Sequence, residues 1–411
     1  ELVKKRIPFD SFYGTLCTRR CGCREGFVMV LVLDTEVSEN SFKVGSDTQV
    51  VVESGCLKLV SNESLLLELP NLWLRDNCSC DDCRVSKTQE KSFILSNIAA
   101  DIYPDKVSVV DDSLSITWPD GHLTNFDLDD IFALSKPRHR VPSGWPRNFK
   151  PSYFDWTQFL SDDDFACAAI QSFLDVGVIV LDKAPQVSEA LELLAPRLGP
   201  IREVLFERIH NVCIDTHVYN VAHTPMALPP HNDFASYSFP PSVQALHMLH
   251  NEAEGGKSII VDAWAIAESV RQERPDYFES LCEFPVPFRE FDEANETYAI
   301  EPLIKCDTAG NIISVRFSNQ LMQMIDPMQE GVRSFYLAYH DLCCRITDTA
   351  NRCAFRLEGG QVLLVAAHRV LHAREAFIPV GKRHLQDAYF ELDNVANRLI
   401  QLQRNSEVVS A

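Results

Sequence analysis

Cys78-Ser79-Cys80-Asp81-Asp82-Cys83 places three thiols within six residues, and His122 follows later, just after the turn Pro119-Asp120-Gly121. Three thiolates and one imidazole satisfy tetrahedral zinc. The spacing is not that of the usual zinc finger, and three unrelated reduced thiols in a loop are the alternative. The Asp-rich loop and the small core available around it favour structural zinc. A closed four-ligand set has no open position, so its role is to hold the fold.

The residues around this cluster read as short strands. Residues 47–54, 56–61, 106–110, 114–118 and 122–126 are β-rich, with Asp111-Asp112-Ser113 and Pro119-Asp120-Gly121 as turn chemistry between them. They predict a small zinc-binding β domain over 46–134. The Pro-rich stretch 135–152 is expected to be a linker. Residues 1–45, basic in their first half and carrying Cys17, Cys21 and Cys23, are expected to be a poorly ordered arm. From 153 to 411 the segment types mix. Apolar spacing predicts helices over 162–174, 187–198 and 393–404, and a continuous apolar run predicts a buried strand over 176–181. Further strands are expected over 242–250, 257–262, 312–317 and 361–367.

At 411 residues the chain has room for one large domain and a smaller one. Its net charge of −20 argues against a nucleic-acid or anionic-membrane footprint, which needs clustered lysine and arginine. There is no uninterrupted apolar run of about 18 residues, so no membrane-spanning helix is expected. Many of the 14 cysteines are scattered singly, as buried reduced thiols are. They point to a reducing compartment, cytoplasmic or alternatively mitochondrial.

The larger part holds His231-Asn232-Asp233. In an extended segment residues two apart share a face, so this imidazole and carboxylate converge on one point. Two ligands are half a metal site. Downstream, His368 and His372 stand at i, i+4, a spacing that suits one helical face. The preceding Gly359-Gly360 and the apolar run after it are strand-like, however, and no glutamate follows His368. His340, in Tyr339-His340-Asp341-Leu342, is a competing histidine in a helix-like context.

Leu72-Trp73-Leu74-Arg75-Asp76-Asn77 followed by the cysteine cluster closely resembles the N-terminal domain of the γ-butyrobetaine dioxygenase and trimethyllysine dioxygenase family. Trp118 to His122, Val243-Gln244-Ala245-Leu246-His247, Gly255-Gly256 and Arg383-His384-Leu385-Gln386-Asp387-Ala388-Tyr389 extend the resemblance over roughly residues 55–405. It implies zinc on Cys78, Cys80, Cys83 and His122. It also implies a mixed α/β chain whose catalytic domain is a double-stranded β-helix (jelly roll) using iron(II) and 2-oxoglutarate, with ascorbate as reductant. His372 would be the distal iron ligand, although Ala373 stands where the family usually has glycine. A facial triad of His231, Asp233 and His372 leaves three adjacent positions for 2-oxoglutarate and O₂. Arg383, eleven residues after His372, matches the arginine that forks onto the distal carboxylate of 2-oxoglutarate. Arg374 is the fallback, and Ser258 a further contact to the cosubstrate.

By the same matching, the aromatic cage for a trimethylammonium group falls on Phe206, His210, His223 and Tyr389, two of them histidine here. A neutral imidazole attracts a cation less than an aromatic ring does. Asn220 and Asn319 fall where the family holds the substrate carboxylate. The expected function is hydroxylation of γ-butyrobetaine or a closely related small amino acid-like acid, as in carnitine biosynthesis. Trimethyllysine dioxygenase, a divergent paralogue with another substrate, and a non-catalytic metal-binding scaffold are the alternatives. The expected partners are a small-molecule substrate, O₂ and, by resemblance, a second copy in a homodimer.

Overall fold

The computed structural model describes residues 48–53, 55–61, 64–110, 113–134, 144–205, 207–213, 223–292 and 294–410. The chain divides into two compact units, 1–140 and 141–411. The arm expected over 1–45 lies outside the described residues.

In the first unit, Thr48–Glu53, Cys56–Ser61 and Ser64–Pro70 form an antiparallel sheet. Lys106–Val110, Ser113–Thr117 and Leu123–Asp127 form a second one. Leu57, Leu59, Leu114, Ile116 and Trp118 from both sheets are buried together, with Leu74 from the short helix Asn71–Asp76. The strand Ser64–Pro70 and that helix were not expected from sequence, because the run Leu65-Leu66-Leu67 shows no alternation to separate strand from helix.

The second unit is built on two sheets. In the larger one the strands run in the order Ser152–Asp155, Val178–Asp182, Gln361–Ala366, Val243–Asn251, Arg383–Phe390, His210–Cys213. Its neighbours are antiparallel except for the first pair. In the smaller sheet the order is Leu228–His231, Val370–Arg374, Ser258–Asp262, Arg352–Phe355, antiparallel throughout.

Side-chain alternation gives each strand two buried faces. Val178, Val180, Leu246, Met248, Leu363 and Val365 of the larger sheet meet Ile260 and Val370 of the smaller one in a shared inner core. The residues between them point outward. Ile179, Leu181, Val243, Ala245 and Leu364 pack with the helices Asp163–Val176 and Leu392–Ser410. Ile259, Val261, Leu371 and Ala373 pack with the helices Ala263–Glu273, Pro275–Glu283 and Val332–Thr347.

Two expectations need correction. The helix over 187–198 is only a 3-10 segment, Ala190–Leu194, and one helical turn, Ala195–Leu198. Pro196 has no amide hydrogen and its ring opposes the carbonyl four residues back, so a longer helix cannot pass through it. The linker read over 135–152 is not free of the second unit at its C-terminal end. Trp145 Nε1 donates to the Val176 carbonyl at 2.8 Å, and its ring stacks on Phe149 at 4.1 Å between centroids. His368 and His372 share no helix, in keeping with the strand-like run before them. His372 lies on the strand Val370–Arg374, and His368 in the turn before it. Among the described residues, no helix is long and apolar enough to cross a membrane.

Candidate metal centre

Strand register brings the metal-ligand candidates together. His231 ends its strand directly opposite His372 on the neighbouring strand, and Asp233 follows His231 by two residues. His231 Nε2 lies 3.2 Å and His372 Nε2 3.8 Å from Asp233 Oδ1. Two ligand atoms each about 2.1 Å from a first-row divalent metal, at right angles, are about 3 Å apart, so the first spacing fits such an ion and the second is slightly open. Among the described residues these three form one of two His/Cys/Asp/Glu groups close enough to hold a metal. His340 belongs to neither. It sits on the helix Val332–Thr347, beside the Cys344 thiol.

Hydrogen bonds orient two of the three side chains. His231 Nδ1 donates to the Pro229 carbonyl at 2.9 Å, which leaves the Nε2 lone pair facing inward. Asp233 Oδ2 accepts from Gln244 Nε2 at 2.6 Å and from the Tyr389 hydroxyl at 2.7 Å. Oδ1 is thereby the oxygen left toward the histidines. Gln244 and Tyr389 face each other across two strands of the larger sheet, so that sheet reaches over to a site carried by the smaller one.

Burial works to raise the Asp233 carboxyl, but His372 and His231 outweigh it and hold it below the ordinary carboxylate range. Burial and His231 draw His372 down to about 4, so it offers a lone pair at neutral pH. Asp387 accepts more distantly from the same Gln244 and Tyr389 donors. Burial, reinforced by the Asp233 charge, pushes Asp387 well up.

Asn232, between the two ligands, fixes the turn. Its backbone N–H donates to the Phe317 carbonyl at 2.8 Å, its Oδ1 accepts from the Phe317 N–H at 2.6 Å, and its Nδ2 donates to the Ala367 carbonyl. Phe234, directly after Asp233, holds the left-handed φ of +53° and packs edge-on to Tyr389. A phenylalanine held there is strained.

Arg374 and Arg383 both lie over the Phe377 ring, each 4.9 Å from its centroid. Arg374 donates to the Thr224 and Met226 carbonyls at 2.6 and 2.8 Å. Among the described residues, no carboxylate pairs with Arg383, and its Nε is buried without a hydrogen-bond partner. Burial, with Arg374 and Arg356 adding to it, draws the Arg383 guanidinium down to about 10. Ser258 stands opposite Arg374 in register. By strand alternation Ser258, His372, Arg374, Arg383 and Tyr389 share the parity of Ile260, Val370 and Leu385, which face the inner core.

Of the substrate-binding positions, Phe206 and Asn220 lie outside the described residues. The His210 and His223 rings meet edge to face at 5.7 Å, and the Cys213 carbonyl accepts from His223 Nδ1 at 3.0 Å. Burial and His223 keep His210 below its ordinary value, which leaves a neutral ring. Asn319 stands exposed in a turn.

The second metal-sized group is Cys78, Cys80, Cys83 and His122. His122 Nδ1 is 3.5 Å from both Cys80 Sγ and Cys83 Sγ. A tetrahedron with Zn–S of about 2.3 Å and Zn–N of about 2.0 Å puts sulfur and nitrogen about 3.5 Å apart, so these residues fit zinc. Gly121, at a φ of +84°, closes the turn that delivers His122. Arg75 is buried behind the cluster, donating to Cys83 Sγ at 3.3 Å and to Asp120 at 2.8 Å.

Sequence reasoning missed Gln244, Asn232, Asp387 and Arg75 as members of these sites. A signal for Gln244 was available, a polar residue on the inward parity of an otherwise apolar strand.

Residues 141–389 match the family described as taurine catabolism dioxygenase TauD, TfdA, and residues 49–131 match the one described as γ-butyrobetaine hydroxylase-like, N-terminal. The chain is 33% identical over 349 residues to a γ-butyrobetaine dioxygenase from Pseudomonas sp. (strain AK-1), covering 81% of this chain and 90% of that protein. It is 28% identical over 355 residues to a mitochondrial trimethyllysine dioxygenase from Gallus gallus, covering 82% and 84%. A solved taurine dioxygenase from Burkholderia xenovorans superposes on 61% of this chain and 91% of its own, with a TM-score of 0.46 and 15% identity.

Proposed function

Because the chain belongs to the taurine catabolism dioxygenase TauD/TfdA family and is a 2-oxoglutarate-dependent dioxygenase, we propose that it hydroxylates γ-butyrobetaine or a closely related small amino acid-like acid. The observation that carries this reading is the convergence of His231, Asp233 and His372, with a half-buried Arg383, paired with no described carboxylate, on the same inward parity. In this reading the two facing sheets are a double-stranded β-helix, and the thiol cluster of the first unit holds structural zinc.

His231, Asp233 and His372 would hold iron(II), and Arg383 would fork onto the far carboxylate of 2-oxoglutarate, with Ser258 near it. Iron(II) and 2-oxoglutarate, when bound, supply the oxygen-activating chemistry that couples decarboxylation to hydroxylation. The protein's own work is positional. Pro229 sets the His231 tautomer, while Gln244 and Tyr389 limit Asp233 to one free oxygen. The packed core between the sheets keeps water from the reacting centre. His210, His223, Phe206 and Tyr389 would face the cationic end of the substrate, and Asn220 and Asn319 its acid end. The imidazoles at 210 and 223 favour a substrate differing from γ-butyrobetaine at its cation.

The test is succinate formation from 2-oxoglutarate with iron and ascorbate, screened against γ-butyrobetaine, trimethyllysine and related acids. Hydroxylation of one of the small acids is expected. Absence of succinate with every compound, coupled or uncoupled, would sink the reading.

A further inference from the structure

Building on the dioxygenase reading, we infer that Glu290 selects the cationic end of the substrate and takes an ammonium that still carries N–H, not a quaternary one. Glu290 lies on the strand Val286–Phe291, where it shares a face with Val286 and Phe288. Those two residues are buried in the core that also contains Ala235 and Phe317. Across the hairpin Glu290 faces Thr297, whose hydroxyl is 2.8 Å from that of Ser236, three residues beyond Asp233. The carboxyl is therefore set against the segment that leaves the metal centre.

Its electrostatic neighbours agree with this placement. Asp233 and His231 both act on Glu290, and Glu290 acts on Tyr237, whose hydroxyl accepts from the Leu205 N–H at 2.8 Å. Among the influences that act on it most strongly there is no lysine or arginine. The Ser236 hydroxyl favours the charged form of the carboxyl, while Oε2 is buried and accepts no hydrogen bond from any described residue. Burial, with Asp233 and Asp292 adding to it, pushes the carboxyl up to about 7. Such an acceptor is left incomplete by the protein itself.

Chemistry separates the two kinds of cation. A quaternary ammonium has no proton to donate and is held by ring faces. An amine that keeps a proton donates it and forms a charge-assisted bond to a buried carboxylate. Here two of the rings expected to face the cation are imidazoles, and an unsatisfied carboxyl oxygen is available. Both differences favour the N–H cation.

The experiment titrates the full chain, loaded with manganese(II) and 2-oxoglutarate so that no turnover occurs, with 4-aminobutyrate and with γ-butyrobetaine, its N-trimethyl counterpart. Calorimetry is expected to give 4-aminobutyrate an affinity about tenfold or more higher, the size of one charge-assisted hydrogen bond. Glu290→Gln is expected to bring the two within about twofold of each other. If that variant is too unstable to titrate, Glu290→Asp, which withdraws the carboxylate by one methylene, is expected to lower the ratio. Equal affinities in the unmodified chain, a preference for γ-butyrobetaine, or a ratio unmoved by either substitution would overturn the assignment. An intact preference with no succinate from any compound would instead count against the dioxygenase reading alone.

Discussion

The Tyr389 hydroxyl donates to Oδ2 of Asp233 at 2.7 Å, while Oδ1 of the same carboxylate faces His231 and His372. One carboxylate thus has a structural oxygen and a ligand oxygen. Gln244 holds the structural one as well, from the strand paired with that of Tyr389.

Removing that hydroxyl should loosen the metal without unfolding the protein. Tyr389→Phe keeps the ring against Phe234 and deletes the hydroxyl's bond to Asp233, together with its longer ones to Asp387 and Gln244. A partner that orients a metal ligand is worth about 10–100-fold in metal affinity. Iron(II) or manganese(II) affinity, measured by calorimetry, is expected to fall by about tenfold with the melting temperature nearly unchanged. An unaltered metal affinity would show that Asp233 needs no such orientation.

Asn232 differs in kind, since it holds backbone. Asn232→Ala removes both side-chain bonds, to the Phe317 N–H and the Ala367 carbonyl, and leaves those buried groups unpaired. Each buried unpaired group costs about 1–3 kcal/mol, so urea unfolding should show a loss of about 2 kcal/mol or more. A loss well under 1 kcal/mol would mean that water replaces the side chain.

Much of the candidate site was legible in the sequence because its residues are local pairs or lie on strands with strong apolar patterns. His231 and Asp233 are a local pair, although Asp233 sits in the turn after the strand and not on it, and Gln361–Ala366 follows its continuous apolar run. The strand that carries His372 was harder, because Val370-Leu371-His372-Ala373-Arg374 is short and interrupted by polar residues. The pairing of His231 with His372 and the reach of Gln244 and Tyr389 across to Asp233 are non-local, so no local pattern encodes them. Glu290 is invisible for the same reason. Only the hairpin register with Thr297 brings it beside Ser236.

The two arginines over Phe377 should separate cleanly. Arg383→Met is expected to raise the KM for 2-oxoglutarate by about tenfold or more, the loss of a charge-assisted contact of about 1.5–3 kcal/mol. Arg374→Met should instead destabilise the fold, because its guanidinium holds the Thr224 and Met226 carbonyls. If the KM effect followed Arg374, the cosubstrate assignment would pass to it.

The first unit is expected to depend on its metal. Its core is small, and the four-ligand cluster ties the end of one helix to the turn before Leu123. The purified chain should carry about one zinc per chain, bound at a closed four-ligand site. Cys80→Ser or prolonged chelation should expose residues 48–134 to proteolysis while the second unit resists. Zinc-free protein with an intact, protease-resistant first unit would refute a structural metal there.

His247 gives the stability a pH dependence of known sign. It is fully buried beside Trp156, and neither ring nitrogen has a hydrogen-bond partner among the described residues. Burial, with His384 adding to it, draws it down to about 4, against about 6.5 for an unfolded histidine. Between those values the unfolded chain binds a proton that the folded chain refuses, so stability falls as pH drops from about 6.5 toward 4, by up to about 3 kcal/mol at the low end. Burial also draws His368 down to about 4, with the same sign, so the slope must be read as a difference between proteins. His247→Phe keeps a flat ring beside Trp156 and removes the unpaired nitrogens, and it should be more stable than the unmodified chain at pH 5 than at pH 7.5. Urea unfolding of both proteins at the two pH values measures this, and parallel losses would place the acid sensitivity elsewhere.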